Sequence, residues 1–349
     1  MLYKELGINQ PKDILDYSVN TNSFGSPIQL ENHLDLLEMS MKQYPDPAVS
    51  GLKKTICEQE QLSGDQILIG NGGSECVFLL ANLFRGKKVC IVEPTFGEYR
   101  KACAAFKCEI ESYVLKEEDN WTIISETFKE YIARNDVIFI CHPNNPTGTV
   151  YPLSTLETII ETSKRHDTIC VIDEAFYDFC NKNIKLSSYI IEFPNLIILR
   201  SLTKMYSIPG LRLGYILADE KVIKQLEPFQ PPWSVNGLAQ VIGEIALKRF
   251  EFVMETKENT KRARDFLTLE LRKLGFYISN SMVNFFILRE IGEKQDTMEL
   301  IKFLLKEGIV PRHTYNFKGL DGRYIRLSVK TSKENSRLVE ALTRWKERC

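Results

Sequence analysis

Residues 201–212 read SLTKMYSIPGLR and follow the apolar run LIILR at 196–200. The run predicts a buried strand, and the segment after it places Lys204 among hydroxyl side chains and close to a Pro-Gly turn. Open α/β sheets hold their ligands where strands end, and a partly desolvated lysine there can lose its proton and attack a carbonyl to form an imine. Most lysines only solvate a loop, so Lys204 alone does not establish a site.

Other apolar runs recur on both sides of this segment and alternate with helical patterns. They lie at residues 66–70, 87–94, 108–115, 136–143, 168–176 and 213–219. Continuous apolar strands joined by crossover-length segments predict an α/β fold, with a mainly parallel sheet and helices on both faces. After Pro232 the pattern changes to a long helical segment over 235–275 and then to shorter strands and helices, which predicts a smaller α+β domain.

Three parts of the chain follow from this pattern. We predict an irregular N-terminal arm that packs with the small domain, a large domain, and a long linking helix with the small C-terminal domain. Their bounds are 1–50, 51–235 and 236–349.

Three further loops that follow predicted strands can carry chemistry. Residues 66–74, QILIGNGGS, lead directly into an apolar helix, whose free N–H groups attract a phosphate; the loop lacks the lysine of a P-loop and the spacing of a dinucleotide motif. Residues 141–148, CHPNNPTG, form a stiff loop that can present an amide. Asp173 ends an apolar strand, where a carboxylate needs a cation such as a protonated pyridine nitrogen, an arginine or a lysine.

In this order the segments resemble the fold type I enzymes that use pyridoxal 5′-phosphate (PLP), the aspartate aminotransferase superfamily. The most specific parts are PNNPTG, DEA, and SLTK with Arg212 eight residues after Lys204. The resemblance spans nearly the whole chain. It implies the PLP-dependent transferase fold and a PLP-dependent enzyme.

The resemblance also implies a role for each matching residue. Lys204 is expected to bind PLP as an imine and then to act as general base or acid at Cα, while Asp173 pairs with the pyridine nitrogen. Asn145 is expected to bond the ring hydroxyl, and Phe96 to stack on the ring, its alternative being ordinary core packing. The phosphate ligands are expected to be Gly73, Ser74, Ser201, Arg212 and, in the neighbouring subunit's site, Tyr44. A homodimer with a shared site is thus implied.

One position departs from the family pattern. Many members have a tyrosine three residues after the aspartate, where its hydroxyl also bonds the ring hydroxyl. This chain has Phe176 there, with Tyr177 one place later. That hydrogen bond is therefore not expected from position 176.

Three segments narrow the resemblance to one branch: DYSVNTN at 16–22, PWSVNGLAQ at 232–240 and RHTYNFKGLDGRYIRLSVK at 312–330. They resemble the branch of L-threonine-O-3-phosphate decarboxylase and histidinol-phosphate aminotransferase, which act on phosphorylated amino acids or amines. We expect Arg326 to bind the substrate carboxylate or phosphate. Arg312 is a second anion-binding candidate, with solvated surface as its alternative, and Asn22 is expected to line the same pocket.

The expected function is decarboxylation of a phosphorylated amino acid by a PLP lyase, as in cobalamin biosynthesis. The alternative is a histidinol-phosphate-type aminotransferase, which would more typically have Gly-Thr where Val329 and Lys330 stand. The decarboxylases usually begin with a His-Gly-Gly segment that helps to hold the substrate phosphate, and this sequence lacks it. Serine phosphate or another amino acid is therefore an alternative substrate to threonine phosphate.

Composition argues against other partners. Lys and Arg total 45 against 46 Asp and Glu, so no strong field would recruit nucleic acid or an anionic membrane. The polar N-terminus and the lack of a run of about 18 apolar residues predict a cytoplasmic enzyme. Nine cysteines without a CxxC pair and only four histidines predict reduced core thiols and no metal site. A non-catalytic regulator on this fold would carry an added DNA-binding domain, and we expect none.

Overall fold

The computed structural model describes residues 2–182, 185–292 and 296–348. The strands are, in chain order, β1 (Leu15–Asp16), β2 (Ile67–Gly70), β3 (Lys88–Glu93), β4 (Glu109–Val114), β5 (Val137–Cys141), β6 (Ile169–Asp173), β7 (Leu196–Ser201), β8 (Gly214–Leu217), β9 (Phe276–Ile278), β10 (Phe285–Glu290), β11 (Ile309–Val310), β12 (Arg312–His313) and β13 (Ile325–Ser328). The helices are α1 (Leu2–Glu5), α2 (Leu34–Lys42), α3 (Ser50–Glu60), α4 (Gly72–Leu83), α5 (Glu98–Ala105), α6 (Ser125–Arg134), α7 (Leu153–Arg165), α8 (Glu220–Leu226), α9 (Gly237–Leu247), α10 (Phe250–Lys273), α11 (Met298–Lys306) and α12 (Ser332–Lys346).

Seven strands form one sheet in the order β2, β8, β7, β6, β5, β3, β4. Strand β8 runs antiparallel to both of its neighbours, and the other neighbouring pairs are parallel. The predicted mainly parallel sheet is therefore confirmed. The continuous apolar runs arise because both faces are covered, so that successive side chains of one strand enter different cores.

Strand β5 illustrates this two-sided burial. Ile138 and Ile140 enter a core shared with α3, α6, α7 and α9, whereas Val137 and Phe139 enter a core shared with α4, α5 and α8. Helices therefore cover both faces of the sheet, as predicted.

A second, antiparallel sheet has the order β12, β13, β10, β9. Side chains of α10, α11 and α12 share its core, and Tyr3 and Tyr17 of the N-terminal segment join them. A short parallel pair, β1 with β11, links the same two parts of the chain. The domain bounds at residues 50 and 235 stay predictions.

The helical segment expected over 235–275 is two helices. Helix α9 ends at Leu247 and α10 begins at Phe250, and Arg249 between them has φ −93° and ψ 58°, which is not helical. Helix α9 packs in a core of the large sheet, whereas Ala263 and Leu267 of α10 pack with the small sheet. Val253 near the start of α10 still belongs to the core of the large sheet, so α10 passes from one core to the other. The N-terminal arm is also less irregular than expected, since it contains α2.

No helix in the described ranges combines the length and the apolar character needed to cross a bilayer. Residues 2–182, 185–292 and 296–348 also contain no cluster of His, Cys, Asp and Glu that could hold a metal ion.

Candidate active site

The loops that carry the sequence motifs meet at one edge of the seven-stranded sheet. Strands β2, β3, β5, β6 and β7 point the same way, so their carboxyl ends lie at this edge. Strand β8 points the opposite way, which brings Arg212, just before it, to the same edge. A cavity of about 240 Å³ lies there. Among its lining residues are the predicted site residues Gly73, Ser74, Phe96, Asn145, Asp173, Ser201, Lys204, Arg212, Arg312 and Arg326.

Lys204 lies in the loop after β7 and is largely shielded from solvent. Its Nζ donates to Oδ1 of Asn20 at 3.3 Å and lies 5.8 Å from the ring centre of Phe176. Desolvation, followed by the positive charges of Arg326 and Arg212, lowers the pKa of Lys204 to about 8. The neutral form, which a nucleophilic lysine needs, is therefore more accessible near neutral pH than in an ordinary lysine.

Asp173 is the last residue of β6 and is 9% exposed. Its Oδ1 accepts the backbone N–H of Ala175 at 2.9 Å, and its Oδ2 accepts the hydroxyl of Tyr99. Burial raises the pKa of Asp173, while Tyr99, Ala175 and the charge of Lys204 oppose that rise. Within the described residues no cation makes a hydrogen bond to this carboxylate. A protonated ring nitrogen in the cavity would therefore fit it.

The start of α4 forms a cradle for a phosphate. Gly72 has φ +82°, and a Cβ added there would come within 2.6 Å of an Nη atom of Arg212. Only glycine therefore allows the guanidinium to approach the first turn of α4, which contains Gly73 and Ser74. Ser201 also lines the cavity, and its hydroxyl oxygen lies 2.9 Å from that of Thr203. Free backbone N–H groups, hydroxyls and one arginine are the groups that bind phosphate.

Arg326 reaches the cavity from the small sheet. It is 5% exposed; Nη1 donates to Oδ1 of Asn145 at 2.7 Å, Nη2 donates to the carbonyl of Ser18 at 2.6 Å, and Nε has no hydrogen-bond partner among the described residues. Burial and then the charge of Arg312 lower the pKa of Arg326 to about 9, which leaves it charged at neutral pH. An anion in the cavity would supply the acidic partner that its neutral acceptors do not.

Arg312 lies directly opposite Arg326 across the β12–β13 pair. Its Nη1 donates to the carbonyl of His313 at 3.0 Å, its Nη2 donates to Oδ1 of Asn316 at 2.9 Å, and its Cζ lies 5.2 Å from the ring centre of Phe317. Like charges that face each other across a sheet are destabilising. Neither arginine forms an ion pair with a carboxylate of the described residues, so the pair forms a receptor for anions.

Two predicted site residues lie outside the cavity. The backbone N–H of Asn22 donates to the carbonyl of Lys204 at 2.9 Å, and its side-chain amide donates to the carbonyl of Met205 at 3.0 Å. The expectation that Asn22 lines the pocket is therefore not met, because its side chain is used to hold the Lys204 loop. Tyr44 is 86% exposed, with its ring centre 5.4 Å from that of Trp233.

The structure also adds residues that the motifs did not indicate. Asn20 lines the cavity and contacts Lys204, two positions before the asparagine that we expected there. Tyr99 bonds Asp173 from beneath the cavity. Phe96 precedes α5, so helical periodicity gave no signal that links Tyr99 to it.

Tyr177 does not replace the tyrosine hydroxyl that many family members have at the position of Phe176. Phe176 lines the cavity and meets Phe285 edge to face, with ring centres 4.8 Å apart. The ring centre of Tyr177 lies 3.5 Å from Cζ of Arg200, and Tyr177 is not part of the cavity wall. No tyrosine near residue 176 thus offers a hydroxyl to the cavity.

These features fit PLP. The cradle at Gly72 suits its phosphate, the buried carboxylate of Asp173 suits a ring cation, and Lys204 has the lowered pKa that imine formation requires. Arg326 and Arg312 belong to the small sheet and not to the loops that form the cradle, which leaves them for a substrate.

Comparisons with known proteins point to a single family. A model described as aminotransferase class I and II matches residues 12–342. The threonine-phosphate decarboxylase of Salmonella typhimurium is 34% identical over 345 residues, which cover 97% of this chain and 92% of that protein. The histidinol-phosphate aminotransferase structure from Clostridium acetobutylicum has a TM-score of 0.90 at 30% identity, covering 96% of this chain and 100% of the other.

A third similar protein is the L-threonine-O-3-phosphate decarboxylase of Porphyromonas gingivalis. Its structure has a TM-score of 0.85 at 28% identity and covers 96% of this chain and 100% of its own. The fold, the cavity and these matches agree with one another. The chain belongs to the aminotransferase class I and II family and is a PLP-dependent enzyme of that family.

Proposed function

We propose that this enzyme removes CO2 from a small phosphorylated amino acid. The observation that carries this proposal is the pair Arg312 and Arg326, which face one cavity and lack a carboxylate partner within the described residues. A substrate with a carboxylate and a phosphate supplies one anion for each arginine, separate from the cofactor cradle at α4. The decarboxylase relative at 34% identity supports the same choice.

Each side chain of the cavity then has a task. Bound PLP would supply an electron sink through its protonated ring, and Asp173 would hold the proton on the ring nitrogen. Lys204 would bind the cofactor and afterwards move a proton at the substrate Cα. Arg326 would grip the carboxylate, while its bond to Asn145 holds that amide beside the ring hydroxyl.

The two arginines also control which bond breaks. Bound PLP would favour cleavage of the Cα bond that is aligned with its π system. Arg326 and Arg312 would hold the substrate at two anions, and this would set the rotation about that carbon. We therefore propose that they orient the substrate for loss of its carboxylate and not of its Cα hydrogen.

The test is to incubate the holoenzyme with O-phospho-L-threonine and, separately, with O-phospho-L-serine. We expect release of CO2 and of the matching amino-alcohol phosphate, 1-amino-2-propanol phosphate or ethanolamine phosphate, without a keto acid. Arg326→Gln should abolish most of this release. Arg262→Gln, at a side chain that is 74% exposed on α10, serves as the matched control and should not.

The second candidate is a histidinol-phosphate-type aminotransferase. It is favoured by the TM-score of 0.90 to the structure from Clostridium acetobutylicum, against 0.85 for the decarboxylase. The same incubations decide between the two. A requirement for 2-oxoglutarate, formation of glutamate and absence of CO2 would contradict the decarboxylase proposal and establish the aminotransferase.

We further propose that the enzyme works in the cytoplasm as a homodimer, without a nucleic-acid or membrane partner. The exposed pair Tyr44 and Trp233 supports the dimer. Helix α2 supports it too, because none of its side chains is buried and its apolar residues Met39 and Met41 are 55% and 66% exposed. A second copy would cover these residues and receive Tyr44 at its phosphate cradle. The formal net charge of −1 supports the absence of a polyanionic partner.

Mixing two inactive variants tests the shared site. Lys204→Ala and Tyr44→Ala should each be inactive or nearly so. In a hybrid dimer one of the two sites regains both Lys204 and Tyr44, so activity should return after the variants are mixed and exchanged. A monomer in sedimentation, or no recovery from hybrids that do form, would contradict this arrangement.

A further inference from the structure

We propose that Tyr99 is a positioning residue that keeps Asp173 ionised and correctly oriented for the ring nitrogen of the cofactor. The inference deepens the proposed function and rests on its assignment of Asp173 to that nitrogen. It concerns a residue that lies below the cavity wall and reaches the cofactor only through Asp173.

Tyr99 is held in one place by its surroundings. It lies in the first turn of α5, is 0% exposed, and donates its hydroxyl to Oδ2 of Asp173. Its ring stacks on Phe139 with centres 5.4 Å apart and meets Phe96 edge to face at 5.7 Å. Two aromatic contacts therefore fix the ring, and the hydroxyl is directed at the carboxylate without any motion of its own.

The hydrogen bonds of Asp173 show why one donor matters. Oδ1 accepts from the Ala175 backbone and Oδ2 accepts from Tyr99, so each oxygen keeps one lone pair for a further donor. Burial favours the protonated carboxyl, and hydrogen bonds to the charged form oppose this. Without Tyr99 the buried group would keep a single neutral donor. A protonated carboxyl has no negative charge with which to balance a ring cation.

The other titratable groups that face Asp173 do not replace Tyr99. Cys141 on β5 and Cys76 on α4 lie nearby, and burial raises the pKa of both thiols, that of Cys141 to about 12, so that neither is charged at neutral pH. Lys204 favours the ionised carboxylate through its charge. Lys204 makes no hydrogen bond to Asp173 in the described residues, so Tyr99 supplies the side-chain donor to this carboxylate.

The experiment compares two cofactor analogues on the wild-type protein and Tyr99→Phe, both freed of cofactor. 4′-Deoxypyridoxine 5′-phosphate keeps the ring nitrogen and phosphate but lacks the aldehyde, so Lys204 does not react with it. The second probe is the same phosphate with the ring nitrogen replaced by C–H. Binding is measured by calorimetry between about pH 6 and about pH 9.

We expect Tyr99→Phe to weaken binding of the ring-nitrogen probe by about 10- to 100-fold, the effect of a hydrogen bond to a charged group, and to leave the C–H probe unchanged. The loss should be largest at low pH and shrink as pH rises, because higher pH ionises Asp173 again. In an Asp173→Asn background the same substitution should have no further effect on the ring-nitrogen probe.

Tyr151→Phe is the matched control. Tyr151 is 1% exposed, stacks on His142 at 5.5 Å, and its hydroxyl makes no hydrogen bond of standard geometry to the described residues, so the substitution removes a buried hydroxyl that Asp173 does not use. It should bind both probes as the wild type does. Unchanged binding by Tyr99→Phe, or an equal loss for both probes, would overturn the proposal. Failure of the wild type to bind the ring-nitrogen probe would instead overturn the assignment of Asp173, and this inference with it.

Discussion

Two buried arginines, Arg200 and Arg326, have opposite electrostatic surroundings. Arg200 is 1% exposed and forms ion pairs with Glu174 at 2.7 Å and with Glu60 at 3.7 Å. Arg326 is 5% exposed, but its partners are the amide oxygen of Asn145 and the carbonyl of Ser18. Burial opposes the charge of both, yet the carboxylates raise the pKa of Arg200, whereas the pKa of Arg326 is lowered.

The difference separates a structural cation from a functional one. Arg200 is neutralised inside the folded chain and also lies over the ring of Tyr177, so the protein itself satisfies it. Arg326 keeps part of its desolvation cost until an anion enters the cavity. Lys204 belongs with Arg326, because its pKa is also lowered and its hydrogen-bond acceptor is the neutral Asn20.

The largest expected effect is on stability, in Arg200→Met. It leaves Glu174 buried without its cation, and we expect the free energy of unfolding to fall by roughly 3–5 kcal/mol in urea titrations near neutral pH. Burial raises the pKa of Glu174 to about 7, and Arg200 opposes that rise. Without Arg200 the pKa of Glu174 rises further, so Glu174 takes up its proton above neutral pH, and the loss should grow as pH is raised. Adding Glu174→Gln should restore part of the stability; no loss in the single variant would contradict the comparison.

Arg326→Gln should affect catalysis much more than stability, the reverse of what we expect for Arg200→Met. We expect kcat/KM for the phosphorylated amino acid to fall by roughly 100-fold, because the carboxylate loses a buried charged donor, and Arg326→Lys should not restore it because lysine lacks the bidentate fork. Unfolding of the cofactor-free protein should change by less than about 1 kcal/mol or become harder, since a buried cation is removed. Arg262→Gln is again the control. A destabilisation as large as that of Arg200→Met would contradict the distinction between a structural and a functional arginine.

Sequence patterns predicted the strands better than their arrangement. The apolar runs identified the inner strands because burial on both faces leaves a continuous signature, whereas the edge strand β4 is only partly buried and less apolar. The order of the strands and the opposite direction of β8 depend on contacts between segments that are distant in sequence. One such contact is at Gly214, where an added Cβ would come within 2.8 Å of the backbone nitrogen of Gly73. The break at Arg249 was missed because the helical pattern continues on either side of it.

The same limit separates the site residues that motifs predicted from those that they did not. Lys204, Asp173 and Asn145 follow strand ends, so the geometry of a parallel sheet brings them together. Asn20 and Asn22 are equally polar and lie in one short motif. Only the folded Lys204 loop, which uses the Asn22 amide, decides that Asn20 faces the cavity.

The pH dependence of the free energy of unfolding extends the comparison to Lys204. Its pKa is about 8 in the folded protein against 10.5 for an ordinary lysine, so between these values the unfolded chain binds more protons. The free energy of unfolding of the cofactor-free protein should therefore gain a rising contribution with pH in this window, by up to about 1.4 kcal/mol per unit. Lys204→Met should remove that contribution. Identical slopes in the two proteins would mean that Lys204 is not desolvated.

The smallest effect is expected at Arg312, whose position is intermediate between the two arginines of the comparison. It has no ion-pair partner in the described ranges, like Arg326, but it is only partly buried and is fixed by the Phe317 ring and the Asn316 amide oxygen. Because water can reach it, Arg312→Gln should lower kcat/KM by only about 5- to 10-fold, mainly through KM. If Arg312 binds the substrate phosphate, its loss should matter less for an analogue without that phosphate, whereas the loss caused by Arg326→Gln should not depend on it. Equal sensitivity of both variants to the phosphate would show that the two anions are not divided between the two arginines.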